Sequence, residues 1–221
     1  MMYSYLSGIS LPAASSQIHD KSDEYLHAAL SNSSNALKTP SRASKAGFLN
    51  SSVGLAILIL IRALQDLRPE PQSGRKSQTQ KIIADAWSTS ATVISSAFQL
   101  AVASPRSTSD DGCEVLFGRA GILYALLRLR FALDQKLLAA SASASASANQ
   151  SVVDVLRPIV ADSVLAKLVD VIIQRGKNGS ATYANEMASV SGSASSPALM
   201  WSWSGKRYLG GAHGVGMSPA P

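Results

Sequence analysis

Cysteine, aromatic residues and charge are all scarce in this sequence. Cys113 is the only cysteine among 221 residues, so the chain forms no internal disulfide and supplies no metal site that needs two thiolates. Aromatic residues make up 6% and charged residues 15%, whereas 46% are hydrophobic. This balance excludes wholesale disorder, and the abundance of Ala, Ser and Leu favours helices packed through small side chains over aromatic-rich strands.

Long apolar runs are also missing. The strongest run, residues 53–61, ends at Arg62 and is far shorter than the roughly 20 residues that a membrane-spanning helix needs. The first eight residues contain no basic side chain and make a poor signal peptide. With a single cysteine, these features lead us to expect a soluble, cytoplasmic protein without a transmembrane segment.

The positive charge is scattered. The formal net charge is +6, but Lys and Arg mark loops and helix ends and form no dense basic run. No aromatic residues interleave with the basic ones, as a stacking platform for bases would require. We therefore interpret the charge as a solvated surface and expect no nucleic-acid partner.

Hydrophobic periodicity predicts an all-α protein of five helices and no strand. The helices are predicted at roughly 21–37, 53–67, 80–103, 118–136 and 158–175. Asn50, Ser51 or Ser52 caps the second helix. The third places Ile83, Trp87, Ile94 and Phe98 on one face, and Gly176 ends the fifth. Residues 139–149 alternate Ser and Ala and are predicted to form a flexible insert, and residues 177–197 a Gly/Ser-rich loop.

One helix start recurs three times along the chain. Apolar residues, a short turn of small residues, a glycine and a second apolar run occupy residues 48–56, 116–123 and 208–216. Gly54 and Gly121 are 67 residues apart, and Gly121 and Gly214 are 93 apart. Such a period is typical of stacked helical hairpins, in which glycine lets helix starts crowd together. Chance recurrence among 15 glycines is the alternative.

Two of these windows resemble the motifs of a known family. Residues 114–127, Glu-Val-Leu-Phe-Gly-Arg-Ala-Gly-Ile-Leu-Tyr-Ala-Leu-Leu, look like the helix start E-x-L-[YF]-G-R-x-G-x-[LI]-Y-A-L-L of eukaryotic LanC-like (lanthionine synthetase C-like) proteins. Residues 208–215, Tyr-Leu-Gly-Gly-Ala-His-Gly-Val, are similar to the family's Y-[LV]-G-A-A-H-G-[LV]. The order and separation of the motifs also agree, and the resemblance covers about half of the chain well.

The resemblance implies a fold and a chemistry. The fold is an α/α toroid, a double ring of helical hairpins, of which residues 1–221 would form one partial domain. Bacterial members add a peptide cysteine thiol to dehydroalanine or dehydrobutyrine, and eukaryotic members resemble proteins that add glutathione to such residues. In both, zinc held by two Cys and one His binds the thiol, which lowers the thiol pKa and supplies the thiolate nucleophile. Glutathione and a modified protein substrate are the partners implied.

The motif match assigns roles to particular residues. His213 corresponds to the family's first His-Gly motif and is the candidate catalytic acid or base; from the sequence alone, a structural histidine is the alternative. Arg119 is the candidate substrate-binding residue, and its alternative is a helix-start arginine paired with a residue such as Glu114. We interpret Cys113 as a partly buried spectator thiol. The motif glycines have structural roles: Gly54, Gly118, Gly121, Gly211 and Gly214.

The family's zinc ligands are not found in this sequence. After Gly216 the family continues as helix and supplies a Cys and a Cys-His-Gly motif, whereas this sequence ends at Pro221. We expect that the chain alone holds no catalytic zinc or other cofactor and adds no thiol. Three hypotheses follow: a truncated thiol-addition enzyme, a non-catalytic helical-repeat binding or scaffold protein, and an unrelated α-helical repeat.

Overall fold

The computed structural model describes residues 21, 24–31, 36–43, 46–49, 51–65, 78–103, 112–116, 118–141, 150–191, 196–203 and 206–207. Its helices are α1 (Ser52–Gln65), α2 (Gln78–Val102), α3 (Arg119–Ser141), α4 (Gln150–Ile159) and α5 (Asp162–Ser191), and residues 24–31 are also helical. A two-stranded antiparallel ribbon pairs β1 (Ser202–Trp203) with β2 (Lys206–Arg207). The predicted all-α class is confirmed, and this short ribbon is the only departure from it among the described residues.

Helix α1 begins where the sequence predicts it. The backbone N–H of Val53 donates to Oγ of Ser51 at 3.1 Å, which makes Ser51 the N-cap among the three candidates. The Ser51 hydroxyl donates in turn to the carbonyl oxygen of Gly47 at 2.6 Å. Ser52 donates its hydroxyl to the carbonyl oxygen of Lys38. These bonds hold the start of α1 against the loop that precedes it.

Helix α2 buries the face predicted for it. Ile83, Ile94 and Phe98 are buried, and Trp87 is partly buried against the hydrophobic core. Ser90 is buried as well, and its hydroxyl donates to the carbonyl oxygen of Ala86 at 2.8 Å. This bond supplies the partner that a buried hydroxyl requires, so a serine is accommodated on the apolar side of the helix.

Two hydrophobic clusters hold the helices together. The larger draws residues from all five helices and includes Trp201 from the segment after α5. The smaller consists of Leu26, Ile59, Ala63 and Ile83, and it joins α1 and α2 to the helical residues 24–31. Helix α1 therefore lies between the N-terminal residues on one side and the main core on the other. Among the described residues, no helix is both long enough and apolar enough to cross a membrane.

The N-terminal helix is shorter than predicted. Residues 36–37 form a turn, so the helix expected over 21–37 ends before Ala36. Leu37 nevertheless packs against the core, as its predicted place on the apolar face requires. Serine and asparagine fill residues 31–35, and their side chains favour turns and caps over helix interiors.

Helix α3 extends past its predicted end. The helix was expected to finish near residue 136, with a flexible insert over 139–149, but α3 runs through Ser141. The first three residues of the predicted insert are therefore helical, and residues 142–149 lie outside the described part of the chain. Alanine has the highest helix propensity, so Ala139 and Ala140 prolong the helix.

The helix predicted over 158–175 is present with different bounds, and the loop predicted over 177–197 is wrong at residues 177–191, which are helical. Pro158 lies in the last turn of α4 and does not start a helix. Helix α5 begins at Asp162, whose carboxylate is favourable at the positive end of the helix dipole, and continues through Ser191. Val152, Val153 and Leu156 form the buried side of α4, which the sequence prediction missed.

Gly176 lies inside α5 and does not end it. Residues 199–201, which follow the helix in sequence, pack over this glycine. The amide N–H of Met200 donates to the carbonyl oxygen of Gly176 at 2.9 Å, and the indole N–H of Trp201 donates to that of Ile172 at 3.0 Å. A Cβ at residue 176 would lie 2.6 Å from Cζ2 of Trp201, and one at Gly179 would overlap the carbonyl oxygen of Met200. Both glycines therefore make room inside the helix for residues 199–201.

The ribbon is attached further along α5. The Arg207 guanidinium donates to the Glu186 carboxylate, with Nη1 2.6 Å from Oε2. Its central carbon lies 5.4 Å from the centre of the Tyr183 ring, within the range of a cation–π interaction. Together with the glycine contacts, this pairing holds the described part of residues 196–207 against α5.

Candidate functional site

The first two copies of the repeated helix start have the same local geometry. Gly54 and Gly121 are each the third residue of their helix. A Cβ at Gly54 would overlap the carbonyl oxygen of Phe48, and one at Gly121 would overlap that of Val115. Each carbonyl belongs to the residue six positions earlier. Glycine is thus required at both positions by the same close approach of the preceding loop.

The two copies also pack against each other. A Cβ at Gly121 would lie 2.7 Å from the backbone nitrogen of Phe48 and 3.2 Å from Cα of Gly47. The Phe48 ring meets the Tyr124 ring edge to face, with 5.0 Å between the centroids and 71° between the planes. The loop that leads into α1 therefore lies directly on the first turn of α3. This pair of helix starts is the candidate site that the described residues contain.

The third copy lies outside the described residues. Gly211, His213 and Gly214 all fall in residues 208–216, of which the structure describes none. The predicted catalytic role of His213 stays a prediction. Of the remaining motif glycines, Gly118 is buried and precedes α3. A Cβ on it would overlap the carbonyl group of Gly112.

Arg119 is the first residue of α3 and is 0% exposed. Its Nε donates to the carbonyl oxygen of Ala101 at 2.8 Å, and Nη1 donates to that of Gly112 at 3.2 Å. The backbone N–H of Arg119 also donates to Gly112, at 2.7 Å. The guanidinium therefore joins the end of α2, the loop and the start of α3. Its predicted role in substrate binding is untested, but its observed partners are backbone carbonyls.

Glu114 orders the same loop. The side chain is buried, and its Oε2 accepts from the backbone N–H of Leu116 at 3.3 Å. The carbonyl oxygen of Glu114 accepts from the N–H of Gly118 at 3.0 Å. A buried carboxylate is costly unless its oxygens receive hydrogen bonds. The motif residues Glu114 and Arg119 thus both build the turn that enters α3.

The residues of this chain do not fit the family's zinc centre. That centre needs two cysteine thiolates, whereas the sequence contains Cys113 alone. Cys113 is partly buried and packs against the larger cluster, as expected of a spectator thiol. In the part of the chain that the structure describes, no three His, Cys, Asp or Glu side chains converge on one point. We therefore derive no chemical step through zinc.

Sequence reasoning missed one surface feature of α3. Tyr124, Leu127 and Phe131 are exposed although each is apolar or aromatic, and they follow one another at helical spacing on one side of the helix. We name these three residues the α3 stripe. Because the opposite side of α3 is equally apolar, periodicity alone does not distinguish the exposed side from the buried one. The edge contact of Tyr124 with Phe48 connects the stripe to the paired helix starts.

Comparisons with known proteins add no assignment. No protein-family model, no curated protein and no solved structure matches this chain. The LanC-like resemblance accordingly depends on the sequence motifs at residues 114–127 and 208–215 alone.

Proposed function

We propose that this chain is a helical-repeat protein of the LanC-like class that binds a dehydroamino-acid-bearing or thiol-bearing polypeptide without modifying it. The described helices would then form part of an α/α toroid, with α1 and α3 as neighbouring inner helices. The observation that carries the proposal is the close packing of the two equivalent helix starts at Gly54 and Gly121. Stacked repeats create extended binding surfaces, which is the usual role of such arrays.

The proposed binding surface is the end of the stack where α1 and α3 begin. The contact of Gly121 with Phe48 brings the loops of residues 46–49 and 112–116 together there. Leu49 in the first loop is 61% exposed and offers an apolar contact. Helix N-termini carry partial positive charge, which favours the carboxylates of a peptide or of glutathione.

The sequence favours binding without catalysis. Thiolate formation in this family depends on zinc, and a single cysteine does not supply the two-thiolate set. The hydrogen bonds of the Arg119 guanidinium to Ala101 and Gly112 also favour a structural role for this residue over the binding of an anion. The paired helix starts at Gly54 and Gly121 then serve as a binding surface and not as a catalytic centre.

Thiol addition itself is the second candidate, and the motifs at 114–127 and 208–215 favour it. In that reaction the thiolate sulfur bonds to the β-carbon of the dehydroamino acid, and the alkene electrons pass into an enolate. His213 would then donate a proton to the α-carbon, as a general acid does.

A binding and addition assay separates the two candidates. The full chain is titrated into a fluorescent peptide that contains dehydroalanine, and anisotropy is measured with and without glutathione. We expect the anisotropy to rise, and we expect mass spectrometry to find no more glutathione adduct than in a sample without the chain. Adduct formation that depends on the chain would favour the second candidate, and absence of binding would refute the first.

A matched pair of leucine variants locates the surface. Leu49→Asp should weaken peptide binding about tenfold, since loss of a leucine contact costs on the order of 1.4 kcal/mol. Leu138→Asp is the control, because Leu138 is 64% exposed but lies near the other end of α3. Equal weakening by both variants would contradict a site at the helix starts.

A further inference from the structure

Helix α3 carries much of the exposed apolar surface of the described chain. Four of the eight large hydrophobic side chains that are exposed in the described residues belong to it, namely the three residues of the α3 stripe and Leu138, which is 64% exposed. Leu138 lies seven residues after Phe131, so it continues the same side of the helix. With exposed Asp134 between them, these positions have the alternating spacing of three and four residues that is typical of a coiled-coil seam.

Two charged residues of opposite sign accompany this seam. Arg130 forms an ion pair with Asp162 of α5, and its Nε also lies 3.8 Å from Oδ2 of Asp134. That distance is too long for a hydrogen bond. The Asp134 side chain is 56% exposed, so its carboxylate is accessible to a second cation beside the apolar residues.

We propose that α3 is the interface of a homodimer, in which it pairs antiparallel with α3 of a second copy. The two-fold axis passes near residue 132. In this register Leu127 of each copy packs on Leu138 of the other, and the two Phe131 rings lie side by side at the centre. Asp134 of each copy lies beside Arg130 of the other, and the symmetry forms every contact twice.

The charges determine both the occupant and its orientation. Parallel pairing would place Arg130 beside Arg130 and Asp134 beside Asp134, and like charges in contact repel. Antiparallel pairing of the same helix brings opposite charges together and keeps the apolar positions aligned. A guanidinium has five N–H donors, so Arg130 accommodates the second carboxylate without releasing Asp162. One helix therefore carries both halves of a self-complementary surface.

The size of the seam sets the strength of the association. A standard interface buries about 800 Å² on each partner, and four partly exposed side chains on one helix offer less than that. We therefore expect a reversible dimer with a Kd in the micromolar range. Burial of the stripe removes its apolar surface from water and supplies the main driving force.

Cysteine cross-linking tests the antiparallel register in the full chain. Cys113→Ser provides a background without other thiols. Leu127→Cys and Leu138→Cys chains of different tag length are mixed and oxidised, and we expect the mixed disulfide to dominate. A disulfide requires Cα atoms within about 7 Å, whereas two residues 127 would be roughly 15 Å apart along the antiparallel helices. Each variant alone should therefore form little dimer.

A charge variant tests the contact between Arg130 and Asp134. Asp134→Arg should raise the dimer Kd by about tenfold, because two contacts between like charges replace two favourable ones. Asp85→Arg, at an exposed position of α2, changes the net charge equally and should leave the Kd unchanged. Sedimentation equilibrium measures both constants, and circular dichroism verifies that the variants remain helical.

Three results would overturn the proposal. A helical chain that stays monomeric at about 100 μM would show that no second copy covers the stripe. Efficient cross-linking of each cysteine variant to itself would indicate parallel pairing, and equal weakening by Asp134→Arg and Asp85→Arg would place the interface elsewhere. These experiments measure association without a peptide, so failure of the peptide-binding proposal would leave their results unchanged.

Discussion

Arg119 and Ala101 connect the first residue of α3 to the end of α2. Nε of Arg119 donates to the carbonyl oxygen of Ala101 at 2.8 Å, and Nη1 donates to that of Gly112 at 3.2 Å. Carbonyl groups in the last turn of a helix lack partners within the helix, and a cation is favourable at that end of the dipole. One buried side chain therefore stabilises the end of α2 and the loop that leads into α3.

Arg119→Met should lower the free energy of unfolding by about 3 kcal/mol or more. Hydrogen bonds to charged groups contribute roughly 1.5–3 kcal/mol each, and the variant leaves two buried carbonyl groups without this donor. Urea denaturation followed by circular dichroism measures the change. Wild-type stability combined with a loss of peptide binding would instead assign Arg119 the binding role that the family motif implies.

Arg130→Met should be far milder. Arg130 forms an ion pair with Asp162 at the surface between α3 and α5, and the hydrogen bond and charge of Asp162 raise the pKa of Arg130 above its ordinary value. The guanidinium is therefore charged at neutral pH.

The ion pair contributes its full stability at pH values below the pKa of Arg130 in the unfolded chain. That contribution is lost only when the pH rises through the higher pKa of Arg130 in the folded chain. Exposed pairs are screened by salt, so denaturation midpoints of variant and wild type should converge at high ionic strength. A loss equal to that of Arg119→Met would contradict this account.

Gly121→Ala should destabilise the chain even though alanine favours helices. The propensity gain is about 1 kcal/mol, but a Cβ at residue 121 would overlap the carbonyl oxygen of Val115 and lie 2.7 Å from the nitrogen of Phe48. Backbone atoms do not rotate away, so we expect a net loss of about 2 kcal/mol in urea denaturation. Thr89→Ala, on the exposed side of α2, is the control and should leave stability unchanged or slightly raised. A gain in the Gly121 variant would mean that the two helix starts do not meet.

Patterns that act locally predicted much of the helical layout. The cap at Ser51 and the buried face of α2 follow from residue types a few positions apart, and the structure contains both. The bounds of α4 and α5 did not follow, because local rules place Pro158 at a helix start and treat Gly176 as a helix breaker. Gly176 and Gly179 remain helical because Met200 and Trp201, distant in sequence, lie over them. Tertiary packing there outweighs local propensity.

The candidate site was predictable to a similar extent. The repeat alone indicated that Gly54 and Gly121 would allow backbones to crowd together, and the contact of Gly121 with Phe48 agrees. The alternatives considered for Arg119 were an anion and Glu114. The bond to Ala101 was not predicted, because it depends on where α2 ends relative to α3. The exposure of the α3 stripe was not predicted, because both sides of α3 are apolar and periodicity does not show which side is buried.

Gly179→Ala should release the returning chain from α5. A Cβ there would overlap the carbonyl oxygen of Met200, so residues 199–201 would have to move away from the helix. Trp201 would then lose the hydrogen bond to Ile172 and its burial, and tryptophan emission should shift to longer wavelength. Helical content should be kept or slightly raised, because alanine favours the helix interior. Lys177→Ala, an exposed position between the two glycines, is the matched control and should leave the emission unchanged. A red shift in the control, or none in the Gly179 variant, would mean that the glycines are not what admits Trp201 to the core.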